Sequence, residues 1–228
     1  MGPKWIPIEE AIADIESDPE VHARRKATLD AREKQLIRLR EASKALIDDL
    51  AAIGVQVPDL GALHHHSPLS PEVVAVLLDW LRADVEELLL EEILIKLRKP
   101  KKTFDGRRLA ALFESTTSQA VRFEVGVTME LARPTGLEEW VISAINDSSY
   151  GDTRISLAVA AAKMAPQDKA NMALLQIFDL HPYTVCQALG ISGGPTELRF
   201  LAERAEKVKG NARKDIERAI KKIKKRLG

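Results

Sequence analysis

The sequence predicts an all-α protein: a right-handed α-solenoid of about five helix pairs, preceded by a long N-terminal helix. Three observations predict it. Ala, Leu, Glu, Lys and Arg dominate, and outside Val55-Gln56-Val57 there is almost none of the apolar and polar alternation that a half-buried strand needs. Breakers at Pro100, Gly106, Pro134, Gly136, Gly151, Pro166, Pro182, Gly193-Gly194-Pro195 and Gly210 leave intervals suited to helices of three or four turns joined by short turns. Between the breakers one pattern recurs, in which a small or β-branched residue and an arginine precede a helical apolar face. It reads Val121-Arg122 before Val125 and Met129, Thr153-Arg154 before Leu157 and Ala161, and Ala212-Arg213 before Ile216 and Ile220.

The first element begins at Asp18-Pro19-Glu20, where an N-cap, a proline at the first helical position and an acid near the positive end of the helix dipole coincide. No breaker follows until Gly54, so the spacing predicts one helix of roughly 35 residues. Leu29, Leu36, Ser43 and Leu50 recur every seven residues, as do Arg32, Leu39, Leu46 and Ile53, which makes a narrow apolar seam. Glu20 with Arg24 and Asp30 with Lys34 add pairs one turn apart. The seam suits either a coiled-coil contact with another chain or a brace along the protein's own body, and the polar Arg32 and Ser43 favour the brace. Residues 1–53 thus form an N-terminal helical segment. Residues 54–69, with Pro58, Gly61, three histidines and Pro68, read as a linker.

Residues 70–228 carry the repeats. Arg122 and Arg154 stand 32 residues apart, and the step to Arg213 is close to twice that. An intervening copy without the arginine fits Tyr183-Thr184 followed by Val185, Ala188 and Leu189, and an earlier one fits Val85-Glu86 followed by Leu89 and Ile93. A first helix precedes each, at 71–81, 107–114, 137–146, 168–178 and 195–205. The second-helix pattern resembles HEAT repeats, most closely in the final unit from Gly194-Pro195-Thr196-Glu197-Leu198 to Asn211-Ala212-Arg213-Lys214-Asp215-Ile216. The whole chain also resembles bacterial HEAT-repeat proteins that carry an extended N-terminal helix opening on Asp-Pro-Glu and closing on a Gly-Val-x-Val turn, here Gly54-Val55-Gln56-Val57. That resemblance implies protein binding, in the manner of an immunity or antitoxin-like partner, and no catalytic residue. It also implies that the repeat arginines tie neighbouring repeats together.

Composition narrows the function classes. With 34 basic and 34 acidic residues the net charge is zero, which removes bulk attraction to nucleic acid or membrane as an argument. Aromatics make up 4% of the chain, too few to suggest a base-stacking platform. A single cysteine excludes a disulfide framework and suits a reducing compartment, so the expected location is the cytoplasm. The start, Met1-Gly2-Pro3-Lys4-Trp5-Ile6, has no signal-peptide core, and the longest apolar runs fall far short of a membrane span.

The residue groups that could carry chemistry each have a plainer reading. His64-His65-His66 are adjacent and cannot all face one ion, so no metal is expected. Gly190-Ile191-Ser192-Gly193-Gly194 follows no strand and lacks the Lys and Ser/Thr of a phosphate loop, so it reads as a turn between helices. Cys186 lies on an apolar helix face beside Val185 and Leu189 and reads as core. Charge is segregated, with Glu72, Asp79, Asp84, Glu86, Glu87, Glu91 and Glu92 opposed in that stretch only by Arg82. Lys96, Arg98, Lys99, Lys101, Lys102, Arg107 and Arg108 form one basic cluster, and residues 207–226 hold ten basic residues from Lys207 to Arg226.

The expected function is non-catalytic protein recognition without a cofactor, since stacked helix pairs offer an extended, pre-organised surface. If second helices line the concave face, Glu87, Glu91, Gln119, Arg122, Asp152, Ser156 and Gln187 contact the partner. The alternative is binding of the nucleic-acid backbone through residues 96–108 and 207–226. An enzyme of the DNA-glycosylase type is a distant third.

Overall fold

The computed structural model describes residues 18–228, so the expectations for the first residues of the 1–53 segment lie outside the described residues. The described residues divide into two compact units, one ending at Lys44 and one spanning residues 45–228. In the first unit α1 spans Pro19–Ala42. The Asp18 carboxylate caps it by accepting the Glu20 amide at 2.8 Å, and Arg24 reaches back to Glu20 at 3.3 Å. The expected single helix breaks at Ser43. There the hydroxyl donates to the Arg40 carbonyl at 3.3 Å, and the backbone flattens to φ −87° and ψ −5° before α2 resumes at Lys44–Ala52. A serine that hydrogen-bonds its own preceding turn perturbs a helix locally, and here the Ser43 amide keeps its bond to the Leu39 carbonyl at 2.9 Å.

In the second unit every described element is helical. After α2 come a 3-10 helix at Leu60–His66, α3 at Pro71–Asp79, α4 at Glu87–Leu97, α5 at Arg107–Ser115, α6 at Gln119–Ala132 and α7 at Glu138–Asn146. A second 3-10 stretch at Ser148–Leu157 leads into α8 at Ala158–Met164, followed by α9 at Gln167–Gln176, α10 at Pro182–Ser192, α11 at Pro195–Lys207 and α12 at Gly210–Leu227. Ser70 and Ser118 cap α3 and α6 through Val73 and Val121 amides, and prolines open α3, α10 and α11. Residues 54–69, linker-like in composition, supply core side chains instead: Leu60 and Leu63 are buried, and Asp59 caps their turn by accepting the Ala62 amide at 3.0 Å.

Helices pack onto their counterparts one pair further along the chain. α4 lies on α6, α6 on α8, α8 on α10 and α10 on α12, while α3 contacts α5 and α7 contacts α9. Polar contacts repeat the same step. The Thr128 hydroxyl donates to the Leu94 carbonyl at 2.9 Å, Ser156 to that of Arg122 at 3.4 Å, and Lys163 pairs with Glu130 at 2.9 Å. At the turns, the Lys101 amide donates to the Leu69 carbonyl at 2.7 Å and the Thr135 amide to that of Phe104 at 2.8 Å. Gly126 lets α6 approach the 3-10 stretch. A Cβ there would stand 2.7 Å from the Ser156 carbonyl carbon and collide with its side chain.

Three of the aromatics meet where two helix pairs join. Phe113 is fully buried and meets Trp140 and Tyr150 edge-on at 5.6 and 5.1 Å. The Arg122 guanidinium lies 5.7 Å from the Phe113 ring and 5.1 Å from that of Tyr150, and its Nε donates to the Phe113 carbonyl at 3.0 Å. Arg154 repeats the backbone contact, donating to the Ile145 carbonyl at 3.4 Å. Each of these arginines therefore caps the C-terminal end of the first helix in its own pair. Arg122 also reaches the next pair through Tyr150. Arg213 instead pairs with Glu217 on its own helix at 2.8 Å. We predict that Arg122→Ala lowers stability by roughly 1–3 kcal/mol and Arg154→Ala by less, read as thermal melts; equal losses would separate the effect from the aromatic stack.

Candidate functional site

Four elements converge on one groove of about 460 Å³. α4 contributes Glu91, the first turns of α6 contribute Gln119, Ala120, Phe123 and Glu124, the 3-10 stretch contributes Asp152, Thr153 and Ile155, and His181 stands at the start of α10. Three residues expected from sequence, Glu91, Gln119 and Asp152, thus share one surface. Phe123 lies one turn beyond Gln119 and leaves 53% of its surface exposed, an apolar platform among carboxylates. Its place one turn from Gln119 is the signal in the sequence that could have found it. Ile155 and His181 carry no such signal, because only tertiary packing brings them to α4 and α6.

The groove is electrostatically acidic. Glu87, exposed on the first turn of α4, accepts a hydrogen bond from the Ser118 hydroxyl, and Glu91 stands one turn further on. Burial, reinforced by the Glu87 charge, pushes the Glu91 carboxyl above the ordinary glutamate range. Asp152 lies 3.6 Å from His181 Nε2, an ion pair when the imidazole is protonated. Glu124 is held by Arg98.

The remaining expected contacts lie elsewhere. Arg122 is occupied by Phe113 and Tyr150, and the Ser156 hydroxyl donates to backbone carbonyls of Thr153 and Arg122. Gln187 is exposed and donates to the Tyr183 hydroxyl at 2.7 Å. Neither Arg122, Ser156 nor Gln187 lines the groove.

The charge clusters along the chain are partly neutralised once it folds. Asp79 pairs with Arg108 at 3.5 Å, Asp84 with Arg82 at 3.5 Å and Glu92 with Lys96 at 2.6 Å; of this acidic stretch Glu91 lines the groove, and Glu87 stands one turn before it on α4. In the 96–108 cluster Arg107 is also engaged, by Asp105. In α12, Arg218 pairs with Asp215 at 2.9 Å, and Arg226 caps α10 through the carbonyls of Gly190, Ile191 and Gly193. Lys207, Lys209, Lys214, Lys221, Lys222, Lys224 and Lys225 are exposed.

The histidine run is exposed, whereas the cysteine and the glycines of the turn are buried. The His64 and His65 rings are tilted by 43° with centres 3.7 Å apart, and His64 Nδ1 lies 2.7 Å from the Gly61 carbonyl. Cys186 is buried, and burial pushes its thiol up to about 12. Gly193 and Gly194 link α10 to α11, where Glu197 accepts the Gly194 amide at 2.6 Å. Among the described residues no helix is long and apolar enough to cross a membrane. Compared with known proteins, the chain matches no family model, no curated protein and no solved structure.

Proposed function

We propose that the chain is a non-catalytic protein-recognition scaffold: a right-handed α-solenoid of about five HEAT-like helix pairs whose groove takes a basic segment carrying an apolar side chain. The observation that carries this reading is the convergence of Glu91 and Asp152 on the exposed ring of Phe123. An aliphatic or aromatic side chain would cover the ring while flanking Lys or Arg residues meet the carboxylates, an apolar anchor with a charged rim. A binding role also suits the hydroxyls nearby, since Thr153 donates to the Tyr150 carbonyl at 2.6 Å rather than to His181. An immunity or antitoxin-like protein that covers a cationic partner would need such a surface, and the buried lone cysteine suits work in the cytoplasm.

The reading has a pH signature. A cationic peptide needs Glu91 ionised, and Glu91 holds its proton to higher pH than an ordinary glutamate. Affinity for a labelled Lys/Arg-Leu peptide should therefore climb as pH rises from about 4 through 7, and Glu91→Gln should shrink that climb. An affinity that is flat or falls over this range contradicts the proposal.

One observation favours a second reading, nucleic-acid backbone binding: the exposed lysines of residues 207–225. It requires a salt-dependent shift of duplex DNA that is abolished when Lys221, Lys222, Lys224 and Lys225 are changed to Glu.

A further inference from the structure

Where the C-terminal turns of α4 and α6 meet the first 3-10 helix lies a second cavity of about 630 Å³, the size of a small-ligand site. Its lining is apolar in one part and cationic in another. Leu63 and Leu69 are buried side chains, whereas Ile95 on α4 and Leu131 on α6 leave 41% and 50% of their surface exposed. Two large aliphatic side chains left half bare at one cavity are an unfilled hydrophobic contact.

The charge at this cavity has one sign. Lys96, Arg98 and Lys99, from the end of α4 and the turn after it, line it without any carboxylate in the lining. Lys96 is held by Glu92 at 2.6 Å, and the terminal nitrogen of Arg98 by Glu124, while Lys99 is exposed. Arg98 Nε is buried with no hydrogen-bond partner, alone in this among the described side-chain atoms. A buried guanidinium donor without an acceptor carries a desolvation cost that an anionic oxygen would relieve.

We infer that this cavity binds a small aliphatic carboxylate, its tail over Ile95 and Leu131 and its carboxylate toward Lys99 and Arg98. The combination is specific: an alcohol of the same length lacks the charge and acetate lacks the tail. The inference does not rest on the function proposed for the acidic groove, although the Arg98–Glu124 ion pair is shared between the two sites.

Calorimetric titration of the full chain with decanoate below its micelle concentration tests it. Saturable one-to-one binding is expected, about tenfold tighter than decanol or acetate. Lys99→Glu and Leu131→Asp, both at exposed positions, should each weaken decanoate by about tenfold with unchanged helical circular dichroism. Absent or non-saturable decanoate binding, equal affinity for decanol, or undiminished affinity in both variants would overturn the inference. So would tighter binding of a peptide ending in a leucine carboxylate, because the occupant would then be a protein terminus.

Discussion

Phe113→Ala should cost about 3–5 kcal/mol of unfolding free energy, the range for truncating a large buried aromatic. Phe113 is fully buried, with Trp140 and Tyr150 edge-on and Arg122 above its face. Truncation leaves a cavity and also takes one of two rings from Arg122. Domains of this size have about 5–15 kcal/mol in hand and lose roughly 2–4 °C of melting temperature per kcal/mol, so a fall of about 10 °C is expected. Differential scanning calorimetry measures it, and a loss below about 1 kcal/mol would mean that the junction between these helix pairs is held by something other than the aromatic cluster.

The second large effect is on binding. Reversing Glu87, Glu91 and Asp152 to lysine should weaken a bound basic segment by about a hundredfold, at roughly 1 kcal/mol for each partly exposed charge pair. The fold should survive, because Glu87 and Asp152 are exposed and Glu91 is only partly buried. Phe123→Ser should weaken the same segment without altering the salt dependence, since it removes the apolar anchor and leaves the charges. Fluorescence anisotropy at two ionic strengths separates the two contributions. If charge reversal and Phe123→Ser gave the same salt dependence, the groove would not be divided into anchor and rim.

Much of the helical order is legible in the sequence because local signals set helix ends. Asp18, Ser70 and Ser118 cap the helices they precede, and the expected first helices at 71–81, 107–114, 137–146, 168–178 and 195–205 fall on α3, α5, α7, α9 and α11. What local signals do not supply is the competition between them. At Ser43 the helix turns locally within a strong helical pattern, and after the breaker Gly151, with φ +56°, the second helix expected from Thr153 opens as a 3-10 stretch that becomes α8 only at Ala158. In residues 54–69 the prolines and glycine hide the spacing of Leu60 and Leu63, which is enough to bury both.

The groove is half legible for a related reason. Polar residues on second helices include Glu91, Gln119 and Asp152, but that criterion passes over Phe123 because an apolar residue on a helix is ordinarily core. The same criterion selects Arg122 and Ser156, whose polar atoms fold back onto backbone carbonyls. Charge runs mislead in the same way: Asp79, Glu92, Lys96 and Arg108 look like patches along the chain and are partners in space.

The central claim is that the acidic groove around Phe123 recognises a basic segment with an apolar anchor. A displayed library of random peptides, selected on the wild-type chain and counter-selected on the triple lysine variant, tests it most directly. The account predicts enrichment of peptides with an aromatic or aliphatic residue flanked by Lys or Arg, all of which lose binding to the variant and to Phe123→Ser. Enrichment of acidic peptides, or of basic peptides that bind the triple variant as tightly as the wild type, would contradict it.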